Sequence, residues 1–342
     1  MIFKIPKKLK KGSKIAVVSS SWGGPGTFPY RYNNGIKQLK EHFGVEIIEM
    51  ENTIKDPGFV YNNPKKRAED LMNAFLDSSI DAIFSSIGGD DSIRILPYID
   101  FNIIRNNPKI YMGYSDSTIT HFICYKAGLR SYYGPAIMAG FAENAGMFEY
   151  MIESVEKTLF NNNIIGEIKP NTNGWTNEFL DWGNPENLNI KRKLNPNTGW
   201  RFLQGNGLIK GELLGGCIDV FYFMWGTELW PTADEWKGKI MFFETSEENI
   251  SEGNLERILR TMGVQGILEN INGIIVGRAQ DEKNYNESIL KIVKGEFGLD
   301  NLPIITNMDF GHTDPMFVIP MGAETTLDMD NQKVFINESG VL

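Results

Sequence analysis

Only two cysteines and three histidines occur in this 342-residue sequence: Cys124, Cys217, His42, His121 and His312. Two cysteines make no disulfide framework, so a reducing cytoplasm is the expected location. Neither an H-E-x-x-H nor a paired C-x-x-C spacing is present, and no metal centre is expected. Gly88-Gly89-Asp90-Asp91 is neither a G-x-G-x-x-G nor a Walker sequence, and no cofactor is expected. Positive charge is in deficit: the net charge is −9. A nucleic-acid polymer or an anionic membrane needs a basic surface, so neither is the expected partner. Long apolar runs are missing too, and nothing approaches the ~18 residues of a membrane helix. Lys4, Lys7, Lys8, Lys10, Lys11 and Lys14 resemble the front of a signal peptide. Only Ile15-Ala16-Val17-Val18 follows before Ser19-Ser20-Ser21-Trp22-Gly23, too short an apolar core for export.

What is present is ordinary for a folded globular chain: 42% hydrophobic and 23% charged residues. The length makes two domains the expectation. Strand candidates at 14–18, 45–48, 82–84, 110–112 and 130–133 alternate with helical patterns. Ile36, Leu39 and Phe43 mark one helix face. Ala68, Leu71, Met72, Phe75 and Leu76 mark another, opened by Pro64. Residues 92–96 read as a short helix. This alternation predicts an α/β fold: an amino-terminal parallel sheet flanked by helices over 1–165. Ligands collect at the carboxyl ends of such strands, where Gly88-Gly89 and Ser115 fall. Residues 166–206 are rich in Asn, Pro, Gly and Trp, and read as an ordered excursion that covers something. An insertion packed on its own aromatic rings fits equally. A smaller α/β domain with mixed strands is expected over 207–342. Its strands fall at 211–214, 239–243, 274–276 and 303–306, its helices at 218–225, 255–262 and 289–293. Short antiparallel strands close the chain at 317–319, 324–327 and 334–336.

The organising stretch is Ile110-Tyr111-Met112-Gly113-Tyr114-Ser115-Asp116-Ser117-Thr118. A buried strand stops at Gly113, and helical spacing resumes with Ile119, Phe122 and Ile123. Ser115 therefore lies on a sharp strand-to-helix turn, the geometry of a nucleophile elbow. Free N–H groups at the helix start could hold an oxyanion. Ser115 and Asp116 are also favoured helix caps, which remains open on this stretch alone.

A serine nucleophile needs a base, most often histidine. His121 is six residues on, which at 3.6 residues per turn is about 240° round the helix and roughly 9 Å along it. It points away from Ser115 and reads as a helix residue packed against the sheet. His42 sits at a helix carboxyl end, where a cation is mildly favoured. His312 remains, in the polar loop Asp309-Phe310-Gly311-His312-Thr313-Asp314. Such a base is usually oriented by a carboxylate, and Glu244 is the leading candidate, delivered to the sheet edge by Ile240-Met241-Phe242-Phe243. Asp309, Asp314 and Glu247 are rivals by position, each plainly readable as a solvated loop acid. Cys217, after Gly215-Gly216, is a second candidate nucleophile and also reads as a buried small residue. A two-lobed small-molecule binding protein without catalysis is the remaining alternative.

These residues resemble the LD-carboxypeptidase family of serine peptidases, and within it the microcin C self-immunity branch. The matching segments are 15–21, 67–75, Ile87-Gly88-Gly89 with 94–96, 113–118, 211–217, Phe243-Glu244-Thr245-Ser246-Glu247 and Gly311-His312. They run nearly end to end in the order Ser, Glu, His. The resemblance implies a catalytic triad of Ser115, His312 and Glu244, with an oxyanion hole from the N–H groups of Gly89 and Asp116. It implies a groove between two domains as the site, and commonly a homodimer. It also implies a substrate: a peptidyl- or aminoacyl-nucleotide amide, or alternatively a murein tetrapeptide that loses its terminal D-alanine. The excursion from Trp175 to Trp200, with Gly199-Trp200 and Leu203-Gln204-Gly205, resembles the immunity branch. A tryptophan there is suited to stack on a purine. Trp175, Trp182 and Trp200 stay equal candidates.

Overall fold

The computed structural model describes residues 3–280 and 283–342. Its strands, in chain order, are β1 (Lys14–Val18), β2 (Glu46–Glu49), β3 (Ala82–Ser85), β4 (Ile110–Gly113), β5 (Tyr132–Tyr133), β6 (Ile164–Ile168) and β7 (Arg201–Gln204). There follow β8 (Leu208–Cys217), β9 (Lys239–Glu244), β10 (Gly273–Gly277), β11 (Ile304–Met308), β12 (Ile319–Pro320), β13 (Glu324–Asp328) and β14 (Lys333–Ser339). The protein is α/β, with two sheets. The first has the order β12-β5-β4-β3-β1-β2, and only β12 runs against its neighbour. The second is mixed, in the order β6-β14-β13-β8-β9-β10-β11-β7, with a parallel centre from β8 to β11.

The sheets exchange edges. The expected boundary at residue 165 falls inside β6, which pairs with β14 in the second sheet. β12, from the carboxy-terminal segment, pairs with β5 in the first. Each exchange covers an open edge that would otherwise expose unpaired N–H and C=O groups. The excursion is ordered: its β7 pairs with β11, and Thr176 bridges to Asp314. β5 is shorter than its pattern, because the Arg130 N–H donates to the Lys4 carbonyl and the Ser131 carbonyl accepts from the Met321 N–H, outside the β4 ladder. Arg130 reaches Glu338 at 2.6 Å, and Ser131 Oγ lies 2.8 Å from His121 Nδ1.

Local chemistry explains the helices that hold the site. Pro64 opens the helix Pro64–Leu76, which buries Ala68, Leu71, Met72 and Phe75 as its periodicity requires. The helix Thr118–Ala127 is buried nearly all round and ends at Gly128, φ 73°. It is wedged between the first sheet and the second unit, where Phe122 meets Phe221, Trp230 and Trp236. His121 lies on that helix, fully buried, with Nε2 against the Gly113 carbonyl at 2.9 Å. Burial lowers its pKa to about 4, so it is a neutral packing residue. No helix among the described residues is long and apolar enough to cross a membrane.

Candidate active site

β4 delivers Tyr114 in extended backbone, and Ser115 then turns to φ 62°. A side chain in the left-handed region is strained, and here the strain sits on the candidate nucleophile. Three contacts hold the turn. The Ser115 N–H donates to Tyr133 Oη at 3.0 Å, Thr118 Oγ1 donates to the Ser115 carbonyl at 2.7 Å, and the Cys217 N–H donates to Thr118 Oγ1 at 2.9 Å. Ser115 and Asp116 lie in a tight turn just ahead of the helix Thr118–Ala127, and neither side chain makes the hydrogen bond that the capping reading requires. The strained turn and the neighbours of Ser115 go beyond that reading.

Gly88 lies against Ser115. A Cβ there would stand 2.8 Å from Ser115 Cβ, 2.9 Å from Oγ and 3.4 Å from the Asp116 nitrogen. Only glycine lets the β3 end approach this closely. Asp116 itself is buried, and its carboxylate accepts from Ser21 Oγ at 2.5 Å and the Ser92 N–H at 2.8 Å. Burial raises its pKa. Its side chain ties the loop after β1, the short helix Ser92–Tyr98 and the elbow together.

Glu244 ends β9 and is fully buried. Oε1 accepts from Tyr133 Oη at 2.5 Å, and Oε2 pairs with His312 Nδ1 at 2.6 Å. Gly311, at φ 99°, makes room for it: a Cβ there would lie 2.6 Å from Glu244 Cγ and Oε2. Tyr133 is a residue that pattern reading passed over. It joins the Ser115 backbone to the Glu244 carboxylate, but along the chain it reads as one more buried strand aromatic. His312 has a 7% exposed side chain, and Tyr114 packs on its ring at 4.9 Å. Burial works to lower the His312 pKa, but the carboxylates of Glu244 and Glu247 outweigh it and raise it to about 10. Among the described residues no hydrogen bond joins Ser115 Oγ to His312. Nε2 instead faces Glu247 Oε2 at 3.1 Å.

Ser115 and His312 line one cavity of about 470 Å³, with Trp22, Phe28, Arg31 and Trp182 on its walls. Trp182 stands edge-on to Phe28 at 5.9 Å and under the Arg31 guanidinium at 5.0 Å. Behind it Arg192 pairs with Glu143 and with Asp314, the latter at 2.6 Å. Trp175 and Trp200 lie elsewhere. Trp175 Nε1 donates to the Pro196 carbonyl at 3.2 Å, and Trp200 Nε1 to Asp309 at 2.8 Å. Asp309 is consumed there, paired with Arg278 at 2.8 Å. A larger cavity of about 1010 Å³ opens on the other side of Ser115. Trp22 and Glu247 line both.

Cys217, Glu244 and His312 can bring one ligand atom each within 4.8 Å of one another. Glu244 and His312 already bond to each other, and burial, with Glu244 and Asp219, holds the Cys217 thiol well above its ordinary value of 9. A neutral buried thiol is a poor metal ligand and a poor nucleophile.

Residues 15–134 match the LD-carboxypeptidase N-terminal domain and residues 210–327 the LD-carboxypeptidase C-terminal domain. The chain therefore belongs to the LD-carboxypeptidase family of serine peptidases. Within that family it is similar to the Escherichia coli microcin C7 self-immunity protein MccF, 28% identical over 339 residues, 96% of this chain and 94% of the relative. The MccF complex with aspartyl sulfamoyl adenosine superposes with a TM-score of 0.89 at 28% identity, covering 99% of this chain and 100% of that one. An MccF-like protein of Streptococcus pneumoniae bound to AMP gives 0.87 at 32% identity, covering 96% and 99%.

Proposed function

We propose that the protein hydrolyses the amide joining an aminoacyl or peptidyl group to a nucleotide-like moiety. The single observation that supports this most is the pair of cavities meeting at Ser115, one aromatic and one acidic. The nucleotide-like part lies in the Trp182 cavity, where an indole face can stack on a purine. The acyl part lies in the larger cavity.

Ser115 Oγ attacks the amide carbonyl as His312 Nε2 takes its proton. Glu244 holds the imidazole through Nδ1 and stabilises the imidazolium. The Gly89 and Asp116 N–H groups hold the oxyanion. The C–N bond then breaks, His312 returns the proton to the leaving nitrogen, and water hydrolyses the ester on Ser115. A homodimer and a cytoplasmic location belong to the same reading.

The test is hydrolysis by purified protein of an aminoacyl sulfamoyl-adenosine and a murein tetrapeptide, side by side. The expected outcome is turnover of the nucleotide conjugate, abolished by Ser115→Ala. Preference for the tetrapeptide would move the substrate to murein. Turnover that survives Ser115→Ala would remove the serine mechanism.

A further inference from the structure

Glu247 stands where the proposed mechanism needs an open position. Its Oε2 lies 3.1 Å from His312 Nε2, while Glu244 holds Nδ1 at 2.6 Å. The imidazole is thus gripped at both nitrogens by carboxylates. Held so, it donates at both positions and has no lone pair to take the Ser115 proton. The two carboxylates differ in freedom. Glu244 is fully buried, whereas the Glu247 side chain is 64% exposed. Glu247 sits in the loop that follows β9, just after buried Thr245 and Ser246. The Ser246 N–H donates to Asp219 at 2.7 Å, and the Glu248 N–H to Ser246 Oγ at 3.2 Å. Among the described residues the Glu247 carboxylate is paired with His312 alone.

The larger cavity has the charge to draw it off. Its wall carries Asp90, Asp91, Asp219, Glu247 and Glu248 against a single Arg257. Asp91 is already neutralised by Arg67 at 2.6 Å and Arg94 at 2.8 Å. The rest favour a cation. In an aminoacyl group the α-nitrogen lies about 2.5 Å from the carbonyl carbon. With that carbon at Ser115, an α-ammonium arrives beside His312 and within reach of Glu247. The groups that face His312 are Glu244, Glu247, Asp219, the Cys217 thiol and the Tyr114 ring. Of these, Glu247 alone is both charged and exposed.

We propose that Glu247 is a specificity-determining residue that caps His312 Nε2 and leaves it for a free ammonium on the acyl part of the substrate. The ammonium takes the carboxylate, His312 loses one of its two anionic partners and releases its Nε2 proton to water, and the freed Nε2 lone pair can then accept the Ser115 proton. A substrate whose amine is acylated cannot do this and is hydrolysed slowly. The inference rests on the proposed Ser115–His312 chemistry and names the acyl group that chemistry selects.

The experiment compares wild type and Glu247→Gln on glycyl sulfamoyl-adenosine and its N-acetyl form, from about pH 5 to about pH 10. His312 is titrated in both proteins by NMR of the imidazole, a readout independent of turnover. Wild type should prefer the free amine by about tenfold or more, the scale of one charge-assisted hydrogen bond. Glu247→Gln should bring that preference close to unity and speed the N-acetyl substrate at neutral pH. The same change should lower the His312 pKa and move the acid limb of kcat/KM to lower pH. An unchanged preference, or a His312 titration that does not move, overturns the inference while leaving the serine mechanism intact. Failure of wild type on both substrates, with no labelling of Ser115 by a fluorophosphonate, overturns the mechanism itself. Glu247 is exposed, and matching thermal melts for the two proteins confirm that the variant folds.

Discussion

Removing one oxygen from Tyr133 is the sharpest probe of the site. Its hydroxyl accepts the Ser115 N–H at 3.0 Å and donates to Glu244 Oε1 at 2.5 Å. Burial holds the phenol well above its ordinary value of 10, so it stays a donor at every working pH. Tyr133→Phe keeps the ring contacts with His121 at 5.4 Å and Phe242 at 5.5 Å. Only the hydroxyl is lost. A hydrogen bond to a charged group is worth ~1.5–3 kcal/mol. If the transition state feels all of it, kcat/KM falls by about 10- to 150-fold. There is also a signature in pH. With one donor fewer, the charge on Glu244 is less dispersed, so it favours imidazolium more strongly and raises the His312 pKa. The acid limb of kcat/KM then moves to higher pH. The assay is kcat/KM against pH on an aminoacyl sulfamoyl-adenosine, with thermal melting as the folding control. A variant within about twofold of wild type, with an unmoved profile, would refute the claim that this phenol couples the nucleophile to the acid.

Two other changes separate geometry from packing. Ser115→Gly should abolish turnover yet stabilise the fold by ~1 kcal/mol, because glycine accepts the φ of 62° without strain; denaturant unfolding checks this. Trp182→Ala should raise KM for the nucleotide conjugate by about tenfold or more with kcat little changed, the scale of one lost base stack. Trp200→Ala should instead lower thermal stability, since its indole N–H bonds the buried Asp309, and leave KM nearly as it was.

Several features were legible in the residues alone because they depend on neighbours along the chain. An apolar run, a glycine and a return to helical spacing mark the Ser115 elbow. The strand Ile240-Met241-Phe242-Phe243 carries Glu244 to an edge. Three histidines, two of them placed on helices by spacing, leave His312. Other features were not legible because they depend on residues distant in sequence. Tyr133 reads as an ordinary strand aromatic until Ser115 and Glu244 close on its hydroxyl. Trp175, Trp182 and Trp200 are alike by composition. The fold separates them, spending two on hydrogen bonds to neighbouring segments and turning one into the cavity.

The amino-acid order by itself determined the alternation of strands and helices, the strained turn and the chemical types on hand, since periodicity and backbone preference act over a few residues. The tertiary structure decided that β6 and β12 change sheets, that Glu244 grips one nitrogen of His312 and that Glu247 grips the other. Edge pairing and charge contact act through space between segments far apart along the chain, such as Arg130 and Glu338, 208 residues apart, and no local pattern encodes which of them meet.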